Sequence, residues 1–447
     1  MKSDTQNIKS LKKEINLPEA ITMVVGVVIG SGIFFKASSV FNNAGTPILG
    51  ILAWAVGGMI TIASALTIAE IAAAIPETGG IFVYLKKLYG EQWAFLFGWM
   101  QTIIYTPGVI AALSIVFATQ ATYFTYLSPM SQKILAIFII FFITIINVIS
   151  TKLGSKLQFI ATVAKLIPIF VIIVFGLLYN KSNGFATATA TSSSSISVGL
   201  SGFGAAILGT LWAYDGWANV GNMAGELKNP RKDLPRSIIT GLVIIIVVYI
   251  LINIAIIKVM PITKVIASQK AASDAAVILL GSKGAALIAV GIMISILGAL
   301  NGYLMTGVRV PFAMAQDKLF PFANFFGKLS DKFGTPINTL LFQAVLAALY
   351  VLSGSFETLT NLAVFSMWIF FVMTVIGIFI LRSKHKDIKR PYTVPLFPIV
   401  PIVGIGGGVY ILISTLISDT SNALYGLAVT ALGIPIYIFI KKRNSKL

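Results

Sequence analysis

The chain has no cysteine and a single histidine, His385. Without cysteine it can form no disulfide, thiolate nucleophile or thiolate metal site. One histidine in a basic loop excludes histidine-rich metal centres and most triads that use an imidazole base. The sequence also shows no paired-carboxylate or nucleophile motif. We therefore expect no cofactor, no metal site and no enzyme activity.

Charge is scarce as well, since only 11% of the 447 residues are charged and 57% are hydrophobic. Apolar runs recur along the whole chain, so one water-soluble core cannot bury them. A run of about 20 apolar residues crosses a bilayer as a helix. We predict an all-α polytopic membrane protein with about twelve spans. They are placed at residues 18–42, 46–73, 91–121, 131–150, 155–179, 199–226, 234–260, 284–315, 337–353, 357–382, 397–418 and 421–441.

The net charge of +18 is interpreted from where the basic residues lie along the chain. If both termini are cytoplasmic, most Lys and Arg residues fall in cytoplasmic segments, as the positive-inside rule requires. We therefore expect a multi-pass protein of the cytoplasmic membrane and no nucleic-acid partner. The first span should be retained, because it is too long for the core of a signal peptide. The Lys and Arg residues in the predicted external loops are few, namely Lys133, Lys181, Lys258, Lys264, Lys270 and Lys283.

Two predicted spans are interrupted by glycine beside polar residues. Span one contains Gly-Ser-Gly at 30–32, and span six contains Tyr-Asp-Gly-Trp at 214–217. Interrupted spans at matching positions of two five-span halves indicate a transporter site built by an inverted repeat. Close packing is the alternative, because Gly26 and Gly30 form a small-xxx-small pair. The matching positions favour a site.

Unwound backbone at these breaks would present peptide groups to a zwitterion. N–H groups at the positive end of the second half of span one suit a carboxylate. Carbonyls at the end of the first half suit an ammonium group, and span six would supply more of them. The predicted N–H groups are those of Ser31, Gly32 and Ile33, next to the break at Gly30. The predicted carbonyls are those of Val28, Ile29, Trp212, Ala213 and Asp215.

Lys165 lies about ten residues into span five, a depth of roughly 15 Å at the helical rise. That is too deep for its ammonium to reach the interface, so it should point into the bundle. Three roles stay open on sequence grounds. Lys165 could take the place of a bound cation, couple proton movement by titrating, or hold backbone carbonyls as a structural lysine.

Other polar and aromatic groups in the spans receive weaker assignments. Asp215 is predicted to cap the half-helix that follows it, with coordination of a cation or amine as the alternative. Arg309 and Glu70 lie near cytoplasmic ends, which predicts structural or inner-gate ion pairs. Trp212, beside the break, is predicted to gate the site, whereas Tyr105 is assigned to packing.

Several spaced motifs together resemble the amino acid–polyamine–organocation superfamily, and the resemblance covers nearly the whole chain. Within it the sequence is most similar to the L-type amino acid transporter group, and there to bacterial serine/threonine and alanine/serine exchangers. The motifs are GSGIF at 30–34, PETGG at 76–80, AKL at 164–166, WAYDGW at 212–217, ELKNP at 226–230 and RPY at 390–392.

The resemblance implies a five-plus-five inverted repeat of the leucine-transporter type, followed by two peripheral spans. It implies sodium-independent exchange of small neutral L-amino acids by alternating access, with a proton-coupled uptake symporter of the same fold as the alternative. Ser31 and Gly32 would hold the substrate carboxylate, Trp212 would form the lid, and Lys165 would replace a sodium ion. The amino group would meet carbonyls of Val28, Trp212 and Asp215.

The same resemblance bears on partners and organisation. Animal relatives join a single-span glycoprotein through a loop cysteine, so the absence of cysteine predicts no disulfide-linked heavy chain. The expected partners are the amino acid and membrane lipids, and the sequence does not indicate an oligomeric state. The expected segments are a cytoplasmic tail (1–17), a first repeat (18–180), an extracellular loop (181–198), a second repeat (199–382), a cytoplasmic loop (383–396), peripheral spans (397–441) and a cytoplasmic tail (442–447).

Overall fold

The computed structural model describes residues 15–180 and 200–444 and shows an all-α protein. In these ranges nine helices are long and apolar enough to cross a membrane, and span one adds a pair of helices bent by 44°. Span nine has 17 residues, at the lower limit for a crossing helix, and span six is interrupted. The prediction of an all-α polytopic membrane protein is confirmed.

Each predicted span overlaps one observed segment. The external loop 181–198 and the tail residues 1–14 and 445–447 lie outside the described residues. The spans, in order, are Leu17–Val28 with Gly32–Ala44, Pro47–Ala74, Glu91–Ala121, Pro129–Ile149, Thr151–Leu178, Leu200–Tyr214 with Trp217–Glu226, Pro230–Val259, Ala271–Gln316, Ile337–Ser353, Phe356–Lys384, Ile399–Ser418 and Thr420–Asn444.

Hydroxyl caps begin several spans where the sequence turns from polar to apolar. The side chain of each cap accepts the backbone N–H three residues later, which satisfies one of the unpaired donors of the first turn. Pro at the first turn follows two of these caps. The capping residues are Thr46, Ser128, Ser150 and Ser355.

Short helices that the span pattern did not predict connect the long ones. They are Ile81–Tyr89, Ile262–Ala267 and Ala323–Phe326. Span eight also starts earlier than predicted, but its helix is interrupted at Gly281, where φ is +68°. Its membrane-crossing part therefore begins close to the predicted residue 284.

Packing between the spans repeats with a shift of five. Span one packs on span seven as span six packs on span two, and span five packs on span eight as span ten packs on span three. Likewise span four meets span eight as span nine meets span three, and spans one and five pair as do spans six and ten. This correspondence is the arrangement of two five-span repeats.

The two ends of the described chain lie on one face of the bundle, called here the terminal face. The N–H of Ile15 donates to the carbonyl of Glu226 at 3.0 Å, and Glu226 pairs with Arg309 at the end of span eight. Asn444 donates through its side chain to the carbonyl of Lys318, just beyond span eight. The opposite face is called the distal face.

The outward surface of spans four and five is apolar. Large side chains such as Phe138, Phe142, Ile167 and Phe170 are more than 45% exposed. A water-soluble protein does not present a continuous surface of this kind, whereas hydrocarbon is its natural solvent. These two spans therefore form part of the lipid-facing wall.

Candidate functional site

The break in span one separates two helices at mid-depth. The first helix ends at Val28, and the second begins at Gly32 after a non-helical Ile29 with ψ of +87°. Ser31 is the N-cap of the second helix, but its side chain makes no capping bond. Helix geometry leaves the N–H groups of Gly32 and Ile33 without acceptors inside the helix.

Ser31 itself is the most informative residue of the break. It is only 1% exposed, and its Oγ is buried without a hydrogen-bond partner. A buried hydroxyl left unpaired is costly, and an anion bound there would satisfy it together with the neighbouring N–H groups. The positive end of the helix favours the same charge. The arrangement suits a carboxylate.

The break in span six lies against the first one. Helix Leu200–Tyr214 ends there, and a 3₁₀-helix follows from Trp217 after Gly216, whose φ is +100°. A Cβ on Gly216 would lie 2.7 Å from the Tyr303 hydroxyl, so both conformation and space require glycine. A Cβ on Gly32 would lie 2.4 Å from Cα of Ala213, which shows how closely the two breaks cross.

The carbonyls predicted to receive an ammonium group already accept protein donors. The hydroxyl of Tyr249 lies 3.0 Å from Val28 O and 2.8 Å from Ala213 O and shares its one proton between these carbonyls, so this side chain bridges the two breaks. Ser295 donates to Ile29 O at 3.3 Å. The carbonyl of Trp212 accepts the N–H of Asp215 at 3.2 Å. Val28 O, Ala213 O and Trp212 O each keep a second lone pair for a ligand, whereas Ile29 O also accepts a donor from span five.

Lys165 reaches the same break from span five. It is fully buried, and its Nζ donates to the carbonyls of Gly26 at 2.7 Å and Ile29 at 2.5 Å. These are carbonyls at the end of the first half of span one, which the break deprives of their helical partners. The side chain therefore replaces part of the hydrogen bonding that the unwound backbone loses.

Asp215 does not cap the following half-helix as the sequence predicted, because Gly216 occupies the N-cap position. Its Oδ2 instead accepts the hydroxyl of Tyr105 at 2.5 Å and that of Tyr303 at 3.1 Å. Burial in apolar surroundings makes a carboxylate seek donors, and two phenols supply them. The carboxylate thereby links span six to spans three and eight, and Tyr105 has a partner beyond packing.

A π-helix in span three, Gln101–Tyr105, sets the position of Tyr105. Pro107 has no N–H, which removes a donor to the backbone one turn earlier. Span nine replaces it, since Tyr350 donates to Ile103 O at 2.8 Å and Gln343 donates to Thr102 O at 3.0 Å. Such bulges are common at functional sites.

Aromatic rings close the site toward the distal face. Trp212 is 6% exposed and meets Phe356 edge-to-face, with ring centroids 6.0 Å apart. Phe356 in turn contacts Phe35 at 6.4 Å. Phe35 is four residues beyond Ser31, and its N–H donates to the Ser31 carbonyl, so this aromatic layer lies one helical turn from the break.

Comparison with known proteins identifies the family. A family model described as amino acid permease matches residues 15–439. The chain belongs to the amino acid permease family. It is 43% identical over 436 residues to the serine/threonine exchanger SteT of Bacillus subtilis, covering 97% of this permease and 98% of that protein. The resemblance to the amino acid–polyamine–organocation superfamily is confirmed, and the permease is a membrane transport protein rather than an enzyme.

Animal relatives are more distant. The permease is 32% identical over 418 residues to the mouse b(0,+)-type amino acid transporter 1, with 92% of this chain and 84% of that one covered. It is 31% identical over 441 residues to the human large neutral amino acids transporter small subunit 2, with 96% and 80% covered. The latter is named as a subunit. The absence of cysteine here bears on a disulfide to such a partner and not on non-covalent association.

Ion pairs hold the terminal face of the permease. Arg309 Nε lies 2.9 Å from Glu226 Oε1, and both side chains are buried. Arg382 Nη2 lies 2.7 Å from Glu70 Oε2, which also accepts the backbone N–H of Val394 at 2.7 Å. The expectation of ion pairs for Arg309 and Glu70 is confirmed. In the described part of the chain no group of three His, Cys, Asp or Glu residues could hold a metal ion.

Sequence reasoning missed several residues of the site. Tyr249 and Tyr303 are buried at mid-membrane, and a buried phenol generally needs a partner, so that rule was the available signal. Phe356 gave no signal, because its contact with Trp212 joins distant parts of the chain. The glycine breaks and Lys165, by contrast, lie where the sequence placed them, and the structure brings them together.

Proposed function

We propose that this permease exchanges small neutral L-amino acids, of the serine, threonine and alanine class, across the cytoplasmic membrane. The substrate carboxylate binds at Ser31, Gly32 and the N–H of Ile33. The ammonium group binds the remaining lone pairs of carbonyls at the two breaks, with Trp212 as the lid. The unpaired buried hydroxyl of Ser31 at a helix N-terminus is the observation that carries the proposal.

We propose that transport does not depend on sodium. The Nζ of Lys165 lies within hydrogen-bond distance of two carbonyls at the end of the first half of span one, where a bound cation would otherwise be required. A fixed ammonium group there neutralises the same partial charges permanently. The terminal face is placed in the cytoplasm because of its excess of Lys and Arg.

The test uses the purified permease in proteoliposomes. We expect radiolabelled serine to enter only when the vesicles contain unlabelled serine, threonine or alanine, and the rate to stay the same when choline replaces sodium. Vesicles without internal amino acid are the matched control. Uptake that requires sodium, or no exchange with any neutral amino acid in a competition panel, would contradict the proposal.

A second candidate, proton-coupled uptake, rests on the surroundings of Lys165. Its ammonium group donates to two neutral carbonyls, to which an uncharged amine could also donate. Release of the proton during the cycle would couple transport to pH. Net serine entry into vesicles without internal amino acid, driven by an acidic outside, would establish this candidate and exclude strict exchange.

A further inference from the structure

A second cavity lies outside the aromatic layer on the distal face. Its volume is about 310 Å³, near the lower end of the roughly 300–1,000 Å³ that small-molecule pockets occupy. Phe35 and Phe356, the rings that separate it from the central break, line its inner side. Ser39, Thr119 and Glu357 contribute polar groups to the wall.

The charge of this cavity is uneven. Glu357 Oε1 lies 2.8 Å from Lys36 Nζ, but the lysine side chain is 1% exposed and the glutamate side chain is 53% exposed. Lys36 also donates to Thr360 Oγ1 at 3.0 Å and lies 5.2 Å from the centroid of the Phe356 ring. The ammonium group is thus enclosed by three partners, while the carboxylate alone faces the cavity and its opening. Glu357 is the one charged side chain among the described residues that line the cavity, so an ammonium group in the cavity can pair with it.

We propose that this cavity is an entry site for an amino acid zwitterion, whose ammonium group pairs with Glu357 before the substrate reaches the central break. The carboxylate of the zwitterion points to the opening, where the exposed side chain of Gln269 supplies an amide donor. This inference rests on the proposed function, because it assigns a second site to the same substrate.

The position of Glu357 links binding of an ammonium group in the cavity to separation of the Phe35 and Phe356 rings. Glu357 follows Phe356 in the chain, and Lys36 follows Phe35, so the ion pair and the ring contact join the same two helical turns. An ammonium group at Glu357 competes with Lys36 for the carboxylate. Weakening that pair loosens the contact between Phe35 and Phe356 at the same time, which opens the path to Ser31.

The experiment uses the natural absence of cysteine. Ser39→Cys places one thiol in the cavity wall of the full-length permease in proteoliposomes, and Thr125→Cys places one on an exposed turn of the same face as the matched control. The rate of labelling by a membrane-impermeant thiol reagent is measured with and without serine. At ten times its dissociation constant serine should slow labelling of Ser39→Cys about tenfold by occupancy. Labelling of Thr125→Cys should not change.

Chemical analogues and charge variants identify the contact. Ethanolamine, which keeps the ammonium group, should protect Ser39→Cys, and N-acetylserine, which lacks it, should not. In the Lys36→Met background no buried ammonium group is left unpaired, so Glu357→Gln can be added without that cost. We expect Lys36→Met to retain protection. Adding Glu357→Gln should raise the serine concentration for half-protection about tenfold or more, as for loss of a charge-assisted hydrogen bond.

Three results would overturn the inference. The first is protection by N-acetylserine equal to that by serine. The second is unchanged protection in Lys36→Met/Glu357→Gln. The third is loss of protection in Ser31→Trp. Exchange by the unmodified permease is measured in the same vesicles, so a failure of the entry site in a working exchanger is distinguished from a failure of the proposed function. Protection that persists when Ser31→Trp blocks the central site would support a separate entry site, and its loss would count against one.

Discussion

Ser31 combines near-complete burial and an unpaired hydroxyl with the N-cap position of a helix at the break in span one. In most buried serines the hydroxyl stabilises the fold through a bond to a protein partner, and removing it costs stability. Here no such bond exists, so the hydroxyl adds nothing to the free energy of unfolding. In the proposed function this hydroxyl stabilises the bound substrate instead.

Ser31→Ala should therefore weaken binding and leave the fold intact. We expect the dissociation constant for serine to rise roughly ten- to hundredfold, as for loss of a hydrogen bond worth about 1.5–3 kcal/mol to a charged group. The melting temperature without ligand should not fall. Ser237→Ala, which removes a buried hydroxyl bonded to the Leu234 carbonyl, is the control and should show the opposite pattern. Unchanged affinity in Ser31→Ala would count against the carboxylate site.

Lys165→Ala should abolish most exchange while the protein still inserts into the membrane. The change leaves the carbonyl of Gly26 without this donor, at about 1–3 kcal/mol, and leaves Ile29 O with Ser295 as its remaining donor. The first half of span one then loses two of its hydrogen bonds to span five, and we propose that the transport cycle needs them. The exchange rate is measured at equal protein content. Lys156→Ala, exposed on the same span, is the control, and a normal rate in Lys165→Ala would refute the role.

At the residue scale, some members of the site could be predicted from the sequence and others could not. Lys165 could be identified as a functional candidate because a charge ten residues inside an apolar span is costly and rare. The role of Glu357 could not be predicted, because acidic residues are common at the start of a span. Its partner Lys36 is also 321 positions away in the sequence. Tyr105 was assigned to packing for a similar reason, since aromatic residues are frequent in membranes and only folding brings Asp215 to it.

Among the elements, span three contains a proline whose effect on the helix is offset by a side chain of span nine. Pro107 should weaken the helix by removing one hydrogen bond, at a cost of about 3 kcal/mol or more. The Tyr350 hydroxyl supplies a donor to Ile103 O instead, and a π-helix forms. The proline can be read from the sequence, but the donor that replaces its missing N–H comes from span nine. The bulge could therefore not be predicted from span three alone.

A double-mutant cycle tests this compensation. Tyr350→Phe alone should lower the free energy of unfolding by about 1–3 kcal/mol, because Ile103 O loses its donor. Pro107→Ala restores a backbone N–H, so Tyr350→Phe should cost much less in that background. Thermal unfolding in detergent gives the four values. Additive costs would show that Tyr350 does not stand in for the missing N–H.

In the whole molecule, an ion pair between two spans helps to close each face of the bundle. Glu226 on span six pairs with Arg309 on span eight at the terminal face, and Lys36 on span one pairs with Glu357 on span ten at the distal face. Both pairs join a broken span to an unbroken one. In the proposed alternating-access cycle each of the two pairs opens in turn.

The direction of the whole bundle in the membrane is a consequence of charge rather than packing. The described contacts place Ile15 and Asn444 on one face, and the excess of Lys and Arg predicts that this face is cytoplasmic. Asp387→Cys lies exposed in the segment between spans ten and eleven, and Thr125→Cys lies exposed between spans three and four. In intact cells an impermeant maleimide should label Thr125→Cys at once and Asp387→Cys only after the cells are permeabilised. The reverse pattern would invert the proposed orientation, and would make the Glu357 cavity an exit to the cytoplasm instead of an entrance.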